Sequence, residues 1–548
     1  MHELHLNKKG IYTMKNILII ILIASLGIIS CTKDLDKLNT DPTRASADIF
    51  DANLLLPTIQ VDYVSGNRGY NGAILFQSMW VKILASTSTD GANYYTGGDK
   101  YVQSTNTNNY INGMWSNMYR SAGRAYEMAQ LVADKPEQAN LTHIAKIMEI
   151  LAIAQMTDTY GDLPYSEALK GKTENITLPT YDTQESLYPQ LLADLEAAVN
   201  GLSTSGAGPT YDAFYGGNIS AWKKFGNSLM LRMAMKLVKA APSVAQQYAE
   251  KAASGGVFEN VSEECYINLD NANGYSNGNA SSLRTGGDLY EVRWSERMIN
   301  MLKSTNDPRL SVVAEVPPPG LQANQDLNIV GNSDPSVQLG LPNGWDLKGG
   351  STDITNAPNF PGPTGSGDNA TPLGAYSRPT AIYRNLSAPA YILSYAEVQF
   401  LLAEAAARGW NVGGSAADYF KNGMEGGVLS LAKMGEAASI SQEAATAFAN
   451  TNVLDESSLA NSLKMINEQY WVATGLQMNF VEAWNNWKRS GYPILTPVNY
   501  VGNFSGGEIP RRQPYPTGET TLNTENYETA VGRLSGGDNW VSRIYWDQ

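Results

Sequence analysis

The stretch "YILSYAEVQFLLAEAAARGW" (391–410), with "SAADYFKNGMEGGV" (415–428) after it, reads as helix, glycine turn, helix. The same plan appears earlier. In "SAWKKFGNSLMLRMAMKLVKAAP" (220–242) the apolar stripe is Trp222, Phe225, Leu229, Met233 and Leu237. Ser220 is placed to cap this helix. Lys236 and Lys239 suit its negative end, and Pro242 stops it. "SVAQQYAEKAASGG" (243–256) then reads as its antiparallel partner.

Other helical patterns surround these two pairs. "ANLLLPTIQVDYV" (52–64) and "AILFQSMWVKILAS" (73–86) are amphipathic runs. Residues 113–132 bring Trp115, Met118, Ala122 and Ala125 near one face. "NLTHIAKIMEILAIAQMTD" (140–158) is apolar apart from His143, Lys146 and Glu149, which predicts a mostly buried helix. Gly161 and Pro164 break it. "QMNFVEAWNNWKRSGYP" (477–493) closes the helical part, with Phe480, Trp484 and Trp487 at i, i+4 and i+7. The expected fold is all-α, with tetratricopeptide-like helix pairs whose period is not strict.

Between the helical blocks the composition changes. "DNANGYSNGNASSLRTGG" (270–287) and residues 342–374 are rich in Asn, Gly, Pro, Ser and Thr. So long a loop region inside a domain is functional or disordered. The expected organisation is a signal over 1–30, a tether over 31–50 and one domain over 51–548. Within the domain, 51–262 and 386–490 form the helical scaffold, 263–385 the loop-rich region, and 491–548 an irregular end.

The amino terminus holds "MKNILIIILIASLGIISCTKDLDKL" (14–38). A basic flank, a short apolar core and small residues before a break describe an export signal, and Met14 rather than Met1 reads as its start. The core is shorter than the roughly 20 residues of a spanning helix. Cys31 directly after it suggests a bacterial lipoprotein, cut before the cysteine and acylated on its sulfur.

Net charge is −14, which does not suit a phosphate backbone, so nucleic acid is not an expected partner. There are 2 Cys and 3 His, so neither a disulfide framework nor a cysteine metal site is expected. No metal or cofactor is expected. Tyr (30) and Trp (11) together far outnumber Phe (11). Rings with a flat face and a polar tip suit wet, sugar-like or peptide-like ligands.

Motifs of catalysis fare poorly. "GYSNG" (274–278) matches a nucleophile elbow, but lies in Asn-rich loop without the required strand and helix. "GSGDNA" (365–370) lies in a Pro/Gly loop and is no dinucleotide site. Glu397 and Glu404, two helical turns apart, have a separation near that of inverting glycosidases. Their Ala-rich helix favours pairing with a neighbouring helix instead. His143 reads as a structural histidine. No catalytic residue is expected. Loop aromatics remain as candidates for ligand binding: Tyr94, Tyr95 and Tyr101 in 86–101, Tyr275, Trp345 in "PNGWDLKGG" (342–350), and Tyr376. No periodicity buries them, so they either stack on a ligand or pack the loops onto the scaffold.

The signal and Cys31, "LNTDP" (38–42), "YGDLPYSEAL" (160–169), "AWKKFGNSLMLRMAMKL" (221–237), "YAEVQFLLAEAAARGW" (395–410) and "IPRRQPYP" (509–516) occur in order. Together they resemble the SusD/RagB family of Bacteroidetes outer-membrane lipoproteins, in its SusD-like nutrient-binding branch. The resemblance implies a surface protein that is not an enzyme. It implies a lipid on Cys31, with Asp34 and Asp36 as a surface-export signal, and an outer-membrane location facing the cell exterior. It further implies capture of glycan or peptide for a SusC-like TonB-dependent transporter. Family ligand aromatics come from the segment after the first helices and from the central loops, here those of Tyr94, Tyr95, Tyr101, Tyr275 and Trp345. Rival readings are a surface glycoside hydrolase with a helical catalytic domain and a scaffold that binds only proteins.

Overall fold

The computed structural model describes residues 50–89, 95–104, 106–171 and 173–548, with only the backbone of Asn71. The chain divides into two compact units, Met1–Ala52 and Asn53–Gln548. The second unit carries the helices, the sheets and both large cavities. The signal, Cys31, Asp34, Asp36 and the tether up to residue 49 lie outside the described residues, as does Tyr94.

The longer helices are α1 (Leu55–Gly66), α2 (Thr107–Leu131), α3 (Ala139–Tyr160), α4 (Gln184–Gly201), α5 (Ile219–Lys236), α6 (Pro242–Gly255), α7 (Tyr395–Ala407), α8 (Ala416–Leu429), α9 (Gln442–Thr451), α10 (Leu459–Leu476) and α11 (Phe480–Ser490). From α1 to α6 each packs against the next. The helices α7–α8, α8–α9 and α10–α11 pair likewise, and α7 also packs on α10. The helix, turn, helix plan of 391–428 is therefore present. Ser394 and Ser415 cap α7 and α8 by accepting from Glu397 N and Asp418 N. The glycines of "GMEGG" let the two helices meet: a Cβ on Gly423 would lie 2.6 Å from the Phe400 ring.

Two local expectations are corrected. Asn218, not Ser220, caps α5; its Oδ1 accepts from Ala221 N at 3.1 Å, so the helix starts before Ser220. The run 73–86 is not one amphipathic helix. It forms only a short helix, Gln77–Trp80, and then strand β1 (Leu84–Ser86). Its apolar residues are buried on every side, so their spacing carried no helical period.

The scaffold is closed by a buried charge network. Arg232 on α5 grips Glu397 on α7, with Nη2 2.8 Å from Oε2, and donates to the Ile392 carbonyl at 2.6 Å. One turn on, Lys236 donates to Asp158 on α3 at 2.5 Å and to Glu482 on α11 at 3.1 Å. Tyr188, Tyr470 and Trp546 add hydrogen bonds to the same carboxylates. Glu404 meets Arg408 and Arg489, each at 2.8 Å. Burial alone would raise its carboxyl; the two guanidiniums outweigh that and hold it below the usual range. Both acids of the would-be glycosidase pair are thus buried, Arg-paired residues that join helices.

The loop-rich region is ordered. Besides β1 its strands are β2 (Cys265–Ile267), β3 (Val292–Trp294), β4 (Ala314–Glu315), β5 (Arg378–Pro379) and β6 (Ala390–Leu393). They pair antiparallel as β1–β3, β2–β6 and β4–β5. A separate small core gathers Ala85, Leu341, Ile354, Ala357, Leu373 and Tyr376. The irregular end is tied down by the two sequence motifs that it brings together. Gln513 N and Arg512 reach the Thr159 and Tyr160 carbonyls at the end of α3, and Tyr515 reaches that of Asp162.

Glu264, beside β2, accepts from Tyr395 N and Ser430 Oγ. Burial overrides those donors and pushes its carboxyl from 4.5 to about 7. Across that window the unfolded chain gives up the proton and the folded chain keeps it. This group's contribution therefore falls as pH rises, by about 3 kcal/mol in all at 1.4 kcal/mol per pH unit. Glu264→Gln should flatten the stability slope between about pH 5 and about pH 7.5. Urea midpoints that shift equally with pH in both proteins would contradict this.

Candidate functional site

Two cavities compete for the role. The larger, about 880 Å³, lies between α2, the segment Pro164–Pro179 and the short helix Glu519–Leu522. Its walls are chiefly apolar, and several polar groups on it are already paired. Arg124 and Arg120 hold Asp62, Tyr119 OH donates to the Pro164 carbonyl, and Glu519 accepts from Tyr181. The smaller, about 470 Å³, is lined by Lys82, by Glu296, Arg297 and Asn300, by Pro342–Trp345 and by Ile494–Asn499. It sets Trp345, a candidate from the sequence, beside polar groups with no protein partner.

Trp345 is fixed by its neighbours in sequence. Asp99, fully buried, accepts from Asn343 Nδ2 at 2.6 Å and from Gly344 N at 2.8 Å. Lys100 Nζ neutralises the same carboxylate at 2.9 Å. Gly344 has φ +90°, and a Cβ there would lie 2.7 Å from Val498 Cγ1, so only glycine lets the loop lie against 494–499. On the other side Asp346 accepts from Tyr500 OH at 2.5 Å, Thr352 Oγ1 at 2.7 Å and Lys348 N at 3.0 Å. Burial would raise this carboxyl, but the donors hold it below the usual range. The indole between these anchors is half-buried. It packs on the small core and lines the cavity. Such a ring is pre-organised, so little is lost in ordering it on binding.

Lys82 sits on strained backbone, φ +54°, a conformation rare outside glycine. Its carbonyl is held by Ser295 Oγ, which also caps the helix Glu296–Ser304. One hydroxyl thus fixes both the lysine and the helix that carries Glu296, Arg297 and Asn300. Burial, partly offset by Asp99 and Glu296, pushes the Lys82 ammonium down to about 8. Among the described residues neither this ammonium nor the Glu296 carboxylate has a hydrogen-bond or ion-pair partner. Arg297 pairs with Glu468 at 3.1 Å, while its buried Nε–H has none. The cavity is therefore a stacking surface ringed by free donors and free acceptors. That is a binding arrangement.

The other sequence candidates do not join Trp345 here. Tyr95 is buried and donates to Asp288 at 2.7 Å. Tyr101 is buried and packs on Phe504. Tyr376 is part of the small core. These three hold loops to the scaffold and, as placed, show no face to solvent. Tyr275 is 54% exposed but does not line this cavity. Lys82, Glu296, Arg297, Asn300 and the 494–499 segment escaped sequence reasoning. Lys82 alone left a signal, as the one charge in the apolar run 73–86.

A family profile described as "Starch-binding associating with outer membrane", SusD-like_2, matches residues 50–516. The chain belongs to the SusD-like family. Solved structures agree. A chitin-binding protein is 29% identical with a TM-score of 0.75, over 91% of this chain and 100% of its own. A chitin-binding SusD homologue from Flavobacterium johnsoniae is 24% identical with a TM-score of 0.68, over 91% and 98%. A SusD homologue from Bacteroides uniformis is 22% identical with a TM-score of 0.70, over 92% and 100%. No curated protein sequence matched the chain. Among the described residues of this SusD-like chain, no helix is long and apolar enough to cross a membrane.

Proposed function

We propose that this SusD-like protein is a surface lipoprotein that captures a glycan in the Trp345 cavity and delivers it to a SusC-like TonB-dependent transporter in the outer membrane. The observation that carries the reading is a half-buried indole, locked by Asp99 and Asp346, beside the unpaired Lys82 and Glu296. Flat aromatic rings take the apolar face of a sugar, and fixed polar groups take its hydroxyls. The starch-binding description of the family and the chitin-binding names of two structural neighbours support a glycan over a peptide. Binding without turnover is the proposed activity.

The test is calorimetric titration of starch- and chitin-derived oligosaccharides into the purified protein. Trp345→Ala should cost about 1–3 kcal/mol of binding, the range for truncating a buried aromatic anchor. Because the indole also packs on the small core, Trp345→Phe serves as the control that keeps the packing. Sugar affinity unchanged in Trp345→Ala would remove the site from this cavity. Product accumulating in proportion to purified protein would overturn the non-enzymatic reading.

The anchor has its own test. Acyl chains on Cys31 would contribute about 0.8 kcal/mol per buried methylene. Cys31→Ala should move the protein from the membrane to the soluble fraction, still folded. A variant that stays in the membrane would contradict lipidation at this residue.

A further inference from the structure

Resting on the reading of this cavity as a glycan site, we infer that Lys82 contacts the bound sugar directly and is kept for binding at a cost to the fold. Six described non-glycine residues have positive φ. Three are Asn, a type that adopts this conformation far more readily than most. Tyr101 and Met478 bury their side chains, so packing offsets the strain. Lys82 does neither. Its ammonium has no hydrogen-bond or ion-pair partner among the described residues, and the side chain lines the cavity.

The backbone around Lys82 is fixed without help from its side chain. Lys82 N donates to the Met79 carbonyl at 3.0 Å, and the Lys82 carbonyl accepts from Ser295 Oγ. The Val81 carbonyl takes the Trp471 Nε1–H at 2.9 Å, and the Ile83 carbonyl takes Ser295 N–H at 3.1 Å. Glycine at 82 would keep every one of these bonds and relieve the strain. The charge is a second cost. Burial pushes the ammonium down to about 8, and Asp99, the acid that most offsets this, already serves Lys100, Asn343 and Gly344. A strained residue whose charged end returns nothing to the fold points to function. That end offers three donors and no acceptor, in the same cavity as the Trp345 indole. With the indole against the face of a sugar ring, the donors meet hydroxyl or ring oxygens at its edge.

Calorimetry with chitohexaose and with maltohexaose, beside thermal melts of the same purified proteins, tests both halves of this inference. For whichever hexasaccharide the wild type binds, Lys82→Gly should bind about ten- to hundredfold more weakly, the effect of losing a hydrogen bond to a charged group. It should nevertheless melt no lower than the wild type. Lys82→Met keeps the stem and the strained position but not the donors, and should lose affinity to a similar extent. Lys82→Arg keeps donors and charge and should retain more affinity than either. A lysine kept only for structure would give the opposite pairing. A lower melting temperature in Lys82→Gly overturns the cost to the fold. Wild-type affinity in Lys82→Met overturns the contact, and leaves the glycan site standing so long as Trp345→Ala still weakens binding. If neither hexasaccharide binds the wild type, the glycan reading falls and this inference with it.

Discussion

Arg232→Met should cost about 3–5 kcal/mol of folding free energy, because it strips the counter-charge from a buried carboxylate. Glu397 is fully buried and takes two hydrogen bonds from Arg232. Glu482, in the same cluster, would be left with Lys236 alone as its cation. Desolvation already raises the Glu397 carboxyl, and loss of the guanidinium beside it would raise it further. The variant should therefore be less damaged at low pH, where Glu397 takes up a proton. Replacing the pair together, Arg232→Met with Glu397→Met, should recover most of the loss, since paired apolar groups carry no orphaned charge. Denaturant midpoints of the three variants measure this. A single variant that loses under about 1 kcal/mol would show the pair is not the clasp between α5 and α7.

Trp484→Ala should be equally severe, about 3–5 kcal/mol, as for other emptied aromatic core sites. Its indole is wholly buried, 5.3 Å from the Trp80 ring, with Lys488 Nζ 3.6 Å above it. Its Nε1–H donates to the Pro510 carbonyl at 2.9 Å, which ties α11 to the "IPRRQPYP" segment. Lys488 is itself buried and pushed down to about 7, and the ring supplies part of what keeps its charge tolerable. The variant should therefore free the chain end as well as lower stability. Limited proteolysis within 491–548 should speed up in Trp484→Ala far more than in Trp345→Phe. Equal cleavage of the two would contradict this anchor.

These two effects sit in stretches whose meaning was legible. "AWKKFGNSLMLRMAMKL" supplies Arg232 and Lys236, and "YAEVQFLLAEAAARGW" supplies Glu397 and Glu404, so the patterns that mark the helices also hold the charges that join them. Helical period and glycine turns report local geometry, and local geometry suffices for paired helices. The loop region gives no such report. Tyr95, Tyr101 and Tyr376 stand in polar surroundings in the sequence, yet all three are buried: Tyr376 in the second core beneath the loops, Tyr95 against Asp288 and Tyr101 against Phe504. Trp345 escaped full burial because Gly344 and Asp346 hold its loop against other segments, a long-range arrangement with no periodic trace. Lys82, Glu296 and Ile494 come from three distant parts of the chain, so only the fold brings them to one cavity.

The central claim is that the ligand enters the Trp345 cavity rather than the larger groove beside α2. Amide hydrogen exchange of the full chain, with and without saturating chitohexaose or maltohexaose, tests it most directly. New protection is expected at 342–345 and 494–499 and none along 115–131 or 164–179. Protection confined to the groove of Trp115, Tyr119 and Ile176, with 342–345 unchanged, would contradict it.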